Sequence, residues 1–277
     1  MPEGGTNRFD APRMHYCIDT TGTYDGLFDG EDILLSAGLA WNNSGPTFNL
    51  HVPDLPNRVL VDSGGFQATT AWDLSYPYSV RDLFEWAAEI GADEVALPDF
   101  ACEPELHDTT PEERVTRTVE KHCQALDVFQ AEPWPFEVLP VLQGWEPDDY
   151  RRCARLFERH DLVRDRMAIG TVCKRDDPSK IGEVLDACED VLGYRRWHLF
   201  GLTLNGWKNS RLWGRFASSD TSAWNYRAES KAHKKRLFRA YREKVNQYGR
   251  AIEEQTTLAT DGGKYSTDTD RNEEGSA

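Results

Sequence analysis

Lysine is scarce in this sequence, nine residues against 47 aspartates and glutamates, and no two of its six cysteines stand closer than fifteen positions. The absence of any CxxC or CxC pair argues against a disulfide framework and against a four-ligand zinc site. The six thiols (Cys17, Cys102, Cys123, Cys153, Cys173, Cys188) therefore read as buried or half-buried free cysteines in a reducing cytosol. No apolar run reaches the roughly 18 residues that a membrane span needs. The opening MPEGGTNRFDAPRMHYC lacks the apolar core of a secretory signal, so the expectation is a cytoplasmic protein with no membrane partner.

The formal charge of −15 would by itself disfavour nucleic acid, whose phosphates an acidic surface repels. Acidic, lysine-poor composition also resembles that of proteins from salt-loving organisms, where it serves solubility. At molar salt the Debye length is about 3 Å, and global repulsion is hardly felt.

At 277 residues the chain has ample length for a sizeable core. Residues 1–13 read as a flexible N-terminus, 14–255 as the folded domain, and 256–277 as a polar, Gly/Ser/Thr-rich disordered tail. Short apolar runs alternate with amphipathic stretches. Strands are expected in 15–19, 32–38, 58–64, 94–100, 136–144, 166–172, 197–204 and, weakly, 216–220. Helices are expected over 79–90, 111–130, 147–160, 178–192 and 229–254, three of them opened by proline behind a capping-type residue. Strands separated by helices of this length imply parallel pairing with right-handed crossovers. Seven or eight such units favour a (β/α)8 barrel of the TIM type, with an open doubly wound sheet as the alternative.

The stretch VLVDSGGFQ (59–67) runs three apolar residues into an aspartate, two glycines, a phenylalanine and a glutamine. The same habit recurs: apolar runs end in Asp62-Ser63-Gly64, Asp99, Gln143-Gly144, Gly170-Thr171, Asn205-Gly206 and Ser218-Ser219-Asp220. Singly, each such residue is an ordinary helix cap or turn former. In a barrel, the carboxyl ends of the strands share one site, where Asp62, Asp99, Gln143 and Asp220 would converge.

The order of these segments resembles the guanine transglycosylases, which exchange guanine in nucleic acid for a 7-deazaguanine base. DSGGFQ (62–67), ALPDFACEP (96–104), VLQG (141–144), MAIG (167–170) and HLFGL (198–202) follow the family's order across roughly residues 58–225. The resemblance implies Asp62 as general acid/base and Asp220 as the nucleophile on C1′. It implies Asp99 as acceptor for the N1–H and amino group of the guanine-type ring. Gln143 and the Gly170 backbone would bind the ring's O6 side. Ser63, Gly64, Phe66 and Gly144 join the expected substrate-binding set, with Gly64 and Gly65 leaving room for close approach and Phe66 either stacking on the base or packing in the core. No cofactor is implied.

The chemistry suits these residue types. An oxocarbenium-like centre is stabilised and trapped by a carboxylate, and a second carboxyl group shuttles the proton between leaving and entering bases. A carboxylate facing two ring donors rejects bases that lack them. The tRNA-modifying members carry a CxCxxC…His zinc site after the barrel, and here no cysteine follows Cys188. The RNA-binding C-terminal domain of the archaeal tRNA enzymes has no room. The compact chain resembles instead the subset that modifies DNA.

Between Lys231 and Lys244 lie seven basic residues (Lys231, Lys234, Lys235, Arg236, Arg239, Arg242, Lys244) and one acidic, a local +6 in a chain of −15. Such a helix points to phosphate contact, or to a solvated face with Leu237, Phe238 and Tyr241 on the core side. Beside it, Trp207, Trp213, Trp224 and Tyr226 alternate with Lys208, Arg211, Arg215 and Arg227, a pattern suited to stacking on unpaired bases, though some tryptophans are expected in the core. An enzyme acting at C1′ must draw its base from the stack. The expected partners are nucleic acid, DNA before tRNA, a free 7-deazaguanine base, and a second copy of the chain or further modification proteins. The competing readings are a tRNA transglycosylase, a catalytically inert nucleic-acid-binding barrel and an unrelated barrel glycosidase.

Overall fold

Nine strands share one sheet, and every pairing in it is parallel. The computed structural model describes residues 12–18, 26–49, 52–53, 55–173, 175, 177–225 and 229–262. In chain order the elements are β1 (Arg13–Ile18), β2 (Asp32–Ser36), α1 (Ala37–Ala40), β3 (Trp41–Asn42), β4 (Thr47–Phe48), β5 (Arg58–Asp62), α2 (Gly65–Thr70), α3 (Val80–Glu89), β6 (Glu94–Ala96) and α4 (Pro111–Ala131). There follow β7 (Glu137–Leu139), β8 (Val141–Leu142), α5 (Pro147–Arg159), β9 (Arg166–Ile169), α6 (Pro178–Leu192), β10 (Arg196–Leu199), α7 (Leu204–Lys208), β11 (Ser218–Thr221) and α8 (Lys231–Gly262). The sheet order is β7-β6-β5-β2-β1-β11-β10-β9-β8, with β3 and β4 paired as a separate antiparallel hairpin.

The two ends of that order, β7 and β8, are separated only by Pro140. Proline has no N–H to donate, so the ladder breaks there. The carbonyls on either side of the break keep their partners: Leu139 accepts from Leu97 N at 3.0 Å, and Pro140 from Ala168 N at 2.8 Å. The result is an α/β fold whose parallel sheet curls into a nearly closed barrel.

Side chains alternate across each strand. Inside the sheet, Leu34, Leu60, Ala96, Leu139, Val141 and Ala168 form a small apolar cluster with Cys17 and Phe200 against it. The opposite faces (Ile33, Leu35, Val59, Val61, Val95, Met167, Ile169, Trp197, Leu199) pack under the helices in the main core. On α5 the buried positions Tyr150, Cys153, Ala154 and Phe157 recur at helical spacing. Capping boxes at Ser79/Asp82 and Thr110/Glu113 open α3 and α4, and Asp177 caps α6 through Ser179 N; each such cap contributes about 1 kcal/mol.

The sequence leaves out α1, the β3–β4 hairpin, α2 and α7, all too short to show a period. Asn205-Gly206 falls inside α7 and is no strand end. A Cβ on Gly206 would run into Leu202, so this glycine serves packing. Residue 216 precedes β11, and Ser218–Asp220 are strand residues, all paired with β1 and the first two also with β10. The last helix runs to Gly262, beyond the expected boundary at 255. Residues 1–11, 263–277, Tyr226 and Arg227 lie outside the described residues.

Candidate active site

The carboxyl ends of the parallel strands carry the residues singled out in the sequence. Asp62 closes β5, with Ser63 and Gly64 next to it. Asp99 stands just past β6, Gln143 and Gly144 just past β8, Gly170 and Thr171 just past β9, and Asp220 within β11. Asp99, Gln143 and Asp220 are 7%, 3% and 7% exposed. That is deep burial for two acids, and it demands partners.

Asp62 sits in register with Ser36 of β2, whose hydroxyl donates to Asp62 Oδ2 at 2.7 Å. Burial raises the Asp62 pKa, while the bonds from Ser36 and the Gly64 N–H pull it down; the nearby Asp220 charge raises it again. Gly64 turns the chain into α2 at φ 83°, where an L side chain is strained. A Cβ there would lie 2.7 Å from Gly38 N and 2.8 Å from Tyr78 Oη. Gly64 is thus demanded by the backbone turn and by α1, rather than by room for a substrate. Gly144 is similar: its Cβ would meet Tyr150 at 2.8 Å at the start of α5.

Asp99 is held from two sides. Ser63 Oγ donates to Oδ1 at 3.1 Å, and Gln143 Nε2 donates to Oδ2. Tyr76 brackets its backbone, donating to Asp99 O at 2.7 Å and accepting from Asp99 N at 3.0 Å. Gln143 Oε1 accepts from Thr171 Oγ1 at 2.7 Å. Burial, then the Asp62 charge, push the Asp99 carboxyl up to about 7, against the bonds from Gln143 and Ser63. Phe66, in the first turn of α2, is 50% exposed. It is not a core aromatic, and its face is free to cover something flat.

Asp220 accepts from Gly201 N at 2.8 Å on Oδ1 and from the Cys17 thiol at 3.1 Å on Oδ2; His198 Nε2 lies 3.3 Å from Oδ1. Burial and the Asp220 charge keep the Cys17 thiol protonated by raising its pKa well above the ordinary value. The Asp220 charge thus acts on Asp62, and the Asp62 charge on Asp99.

The predicted nucleic-acid contacts divide. Lys231, Arg236, Arg239 and Lys244 are exposed on α8, and Lys234 and Lys235 half-buried. Arg242 is tied to Glu31 at 2.8 Å and lies 5.9 Å from the ring of Phe238, one turn before it on the same face and fully buried. Arg211 is exposed, whereas Arg215 is bound by Asp186 and Glu189 at 2.8 and 2.9 Å. Trp207 and Trp224, read as candidate stacking surfaces, are core residues at 1% exposure. Trp207 donates to Ser219 Oγ at 2.8 Å, and Trp224 packs edge-on against Phe28 and Phe238. Trp213 is half-buried and donates to Trp207 O at 2.9 Å.

Sequence reasoning missed Ser36, Thr171, Tyr76, Cys17 and His198. Strand alternation could have found Cys17 and His198, since both share the inward face with neighbours two residues away. Nothing local could have found Tyr76, which reaches Asp99 across 23 residues.

The parallel α/β barrel-like sheet thus carries Asp62, Asp99 and Asp220, and the Gln143 amide bound to Asp99, on the carboxyl side of its strands. The chain belongs to the DpdA (DeoxyPurine in DNA protein A) family, whose model matches residues 48–237, a tRNA-guanine transglycosylase-like family involved in 7-deazaguanine DNA modification. No curated protein matches the chain.

Proposed function

We propose that this protein exchanges guanine in DNA for a 7-deazaguanine base through a covalent Asp220–nucleotide intermediate. The observation that carries the reading is the grouping of Asp62, Asp99 and Asp220 on the carboxyl side of β5, β6 and β11, each with a different set of partners. The sheet then counts as a (β/α)8 barrel whose fifth strand is β7 and β8 together, interrupted at Pro140.

An Asp220 carboxylate oxygen attacks C1′ as the C1′–N9 bond breaks. The departing guanine takes a proton from Asp62, which burial equips to hold one. The incoming base gives its N9 proton back to Asp62 and attacks C1′, and the Asp220 carboxylate leaves. Two carboxyl groups with separated proton affinities divide the work in this way. Asp99, ionised by the ring's N1–H and amino donors, reads the base edge. The Gly170 N–H is already taken by Leu142 O at 2.9 Å, so the O6 side falls to Gln143, whose locked amide must yield a donor. Phe66 covers the ring. The exposed basic residues of α8 with Arg211 meet phosphate.

The test is a guanine-containing DNA strand, wild-type protein and a labelled 7-deazaguanine base. Denaturing gels should show an adduct that free base resolves, and nucleoside mass analysis should show the label in DNA. Asp220→Ala should give neither. An adduct that survives in Asp220→Ala and vanishes in Asp62→Ala would reverse the two roles.

A further inference from the structure

A line of polar contacts runs through the barrel interior from its floor to Asp220. Arg166 of β9 donates to Glu94 of β6 and, through Nη2, to Ser218 Oγ at 2.9 Å. Ser218 Oγ lies 2.8 Å from His198 Nδ1. His198 and Ser218 are wholly buried. None of this serves the base-reading side of the site.

The direction of the protons follows from the inventory of donors. Arginine has no acceptor and stays charged, so Ser218 Oγ must accept from Arg166. The Ser218 hydroxyl proton then points to the acceptor at hand, His198 Nδ1. A neutral imidazole whose Nδ1 accepts carries its proton on Nε2, the atom 3.3 Å from Asp220 Oδ1. The other tautomer would set a nitrogen lone pair against a carboxylate and leave the serine proton unused.

We propose that His198, held in its Nε2–H tautomer by Ser218 and Arg166, is a positioning residue that fixes Oδ1 of Asp220 and turns its Oδ2 toward C1′. The proposal rests on Asp220 as the nucleophile. Gly201 N donates to Oδ1 and His198 Nε2 approaches the same oxygen to 3.3 Å, whereas Oδ2 accepts from the thiol of Cys17 at 3.1 Å, a weak donor that yields readily to an attacking trajectory. Burial lowers the His198 pKa, which keeps the ring neutral, and the nearby Arg166 charge adds to that. The other groups facing the pair are few. His15 of β1 stands edge-on to His198 at 5.4 Å and is itself kept neutral by burial. Glu94 lies on the floor side, bound to Arg166. Asp62, Cys17 and Tyr241 lie on the Asp220 side.

The experiment has two arms. On free protein labelled with 15N-histidine, NMR should show His198 neutral with its proton on Nε2. With DNA, His198→Leu should slow adduct formation about tenfold, as a small misplacement of the nucleophile does, while DNA affinity stays unchanged. His198→Gln, whose amide nitrogen matches Nε2, should restore the rate. An Nδ1–H tautomer, or a His198→Leu variant that forms adduct at the wild-type rate, overturns the proposal. Should His198→Leu not fold, Ser218→Ala must slow adduct formation the same way, and the wild-type tautomer is read regardless. A wild type that gives no adduct at all sinks the nucleophile reading alone, because the NMR arm needs no DNA.

Discussion

Gln143 donates its amide N–H to Asp99 Oδ2 while Thr171 donates to its Oε1 at 2.7 Å, so the carboxylate proposed to read the base is already paired with the amide beside it. A base that offers two ring donors must share Asp99 with that amide, and the amide in turn depends on Thr171 and on the bare Cα of Gly170.

A Cβ on Gly170 would collide with the Gln143 amide. Gly170→Ala should therefore displace Gln143 and cut base exchange by about 10²-fold, in line with a small misplacement in a site built on orientation. Thr171→Val, which removes the bond to Gln143 and the one accepted from Cys102 N at 3.1 Å but little volume, should cost about 1–3 kcal/mol and weaken free-base affinity about fivefold. Exchange kinetics against base concentration separate the two, and DNA affinity should stay at the wild-type level in both.

Asp99 predicts an unusual pH dependence of stability. Its folded pKa of about 7 lies above the unfolded value near 4, so the native state binds the proton more tightly. The stabilisation it contributes is complete below about pH 4 and is lost as pH rises toward and through 7. Thermal unfolding should show wild type losing stability from about pH 5 to 8 relative to Asp99→Asn, by about 1 kcal/mol or more. Parallel curves for the two proteins would show that Asp99 is not neutral in the free fold. The same substitution should abolish base selection, because an amide presents a donor to a ring donor.

Ser36 predicts a shift in the proton-transfer step. Its 2.7 Å bond favours the ionised form of Asp62, so Ser36→Ala should raise the Asp62 pKa. The acid limb of exchange, which reports an ionised Asp62 taking the incoming base's proton, should move up. Adduct formation in the absence of free base should hold or rise on its acid side. Loss of both exchange and adduct formation on the acid side would show that Ser36 acts on folding, not on Asp62.

The exposed residues of α8 should set affinity and leave chemistry alone. Reversing Arg236, Arg239 and Lys244 to glutamate should weaken DNA binding and flatten its salt dependence, each lost phosphate contact lowering the slope by about 0.7–0.9. Reversing Arg215, which Asp186 and Glu189 already hold, should instead destabilise the fold. An α8 triple variant with wild-type affinity and slope would make this helix a solvated face.

Much of the architecture was legible in the chain. Apolar runs of strand length separated by proline-capped amphipathic helices define parallel crossovers, because both periods and caps are local properties. The ends of β5, β6, β8 and β9 could be read from where hydrophobicity stops, and with them Asp62, Asp99, Gln143 and Gly170. Local pattern could not say that β11 is an interior strand, since Ser218-Ser219-Asp220 has no hydrophobic signature and is made a strand by β1 and β10 on either side. Nor could it separate Trp207 and Trp224 from surface aromatics, because their burial is decided by α8, β11 and the segment around Phe28. The partners of the three aspartates come from distant positions (Ser36, Tyr76, Thr171, Gly201, His198). A carboxylate's proton affinity depends on what surrounds it in space, so the residue types were fixed by the chain and the division of labour among them only by the closing of the sheet.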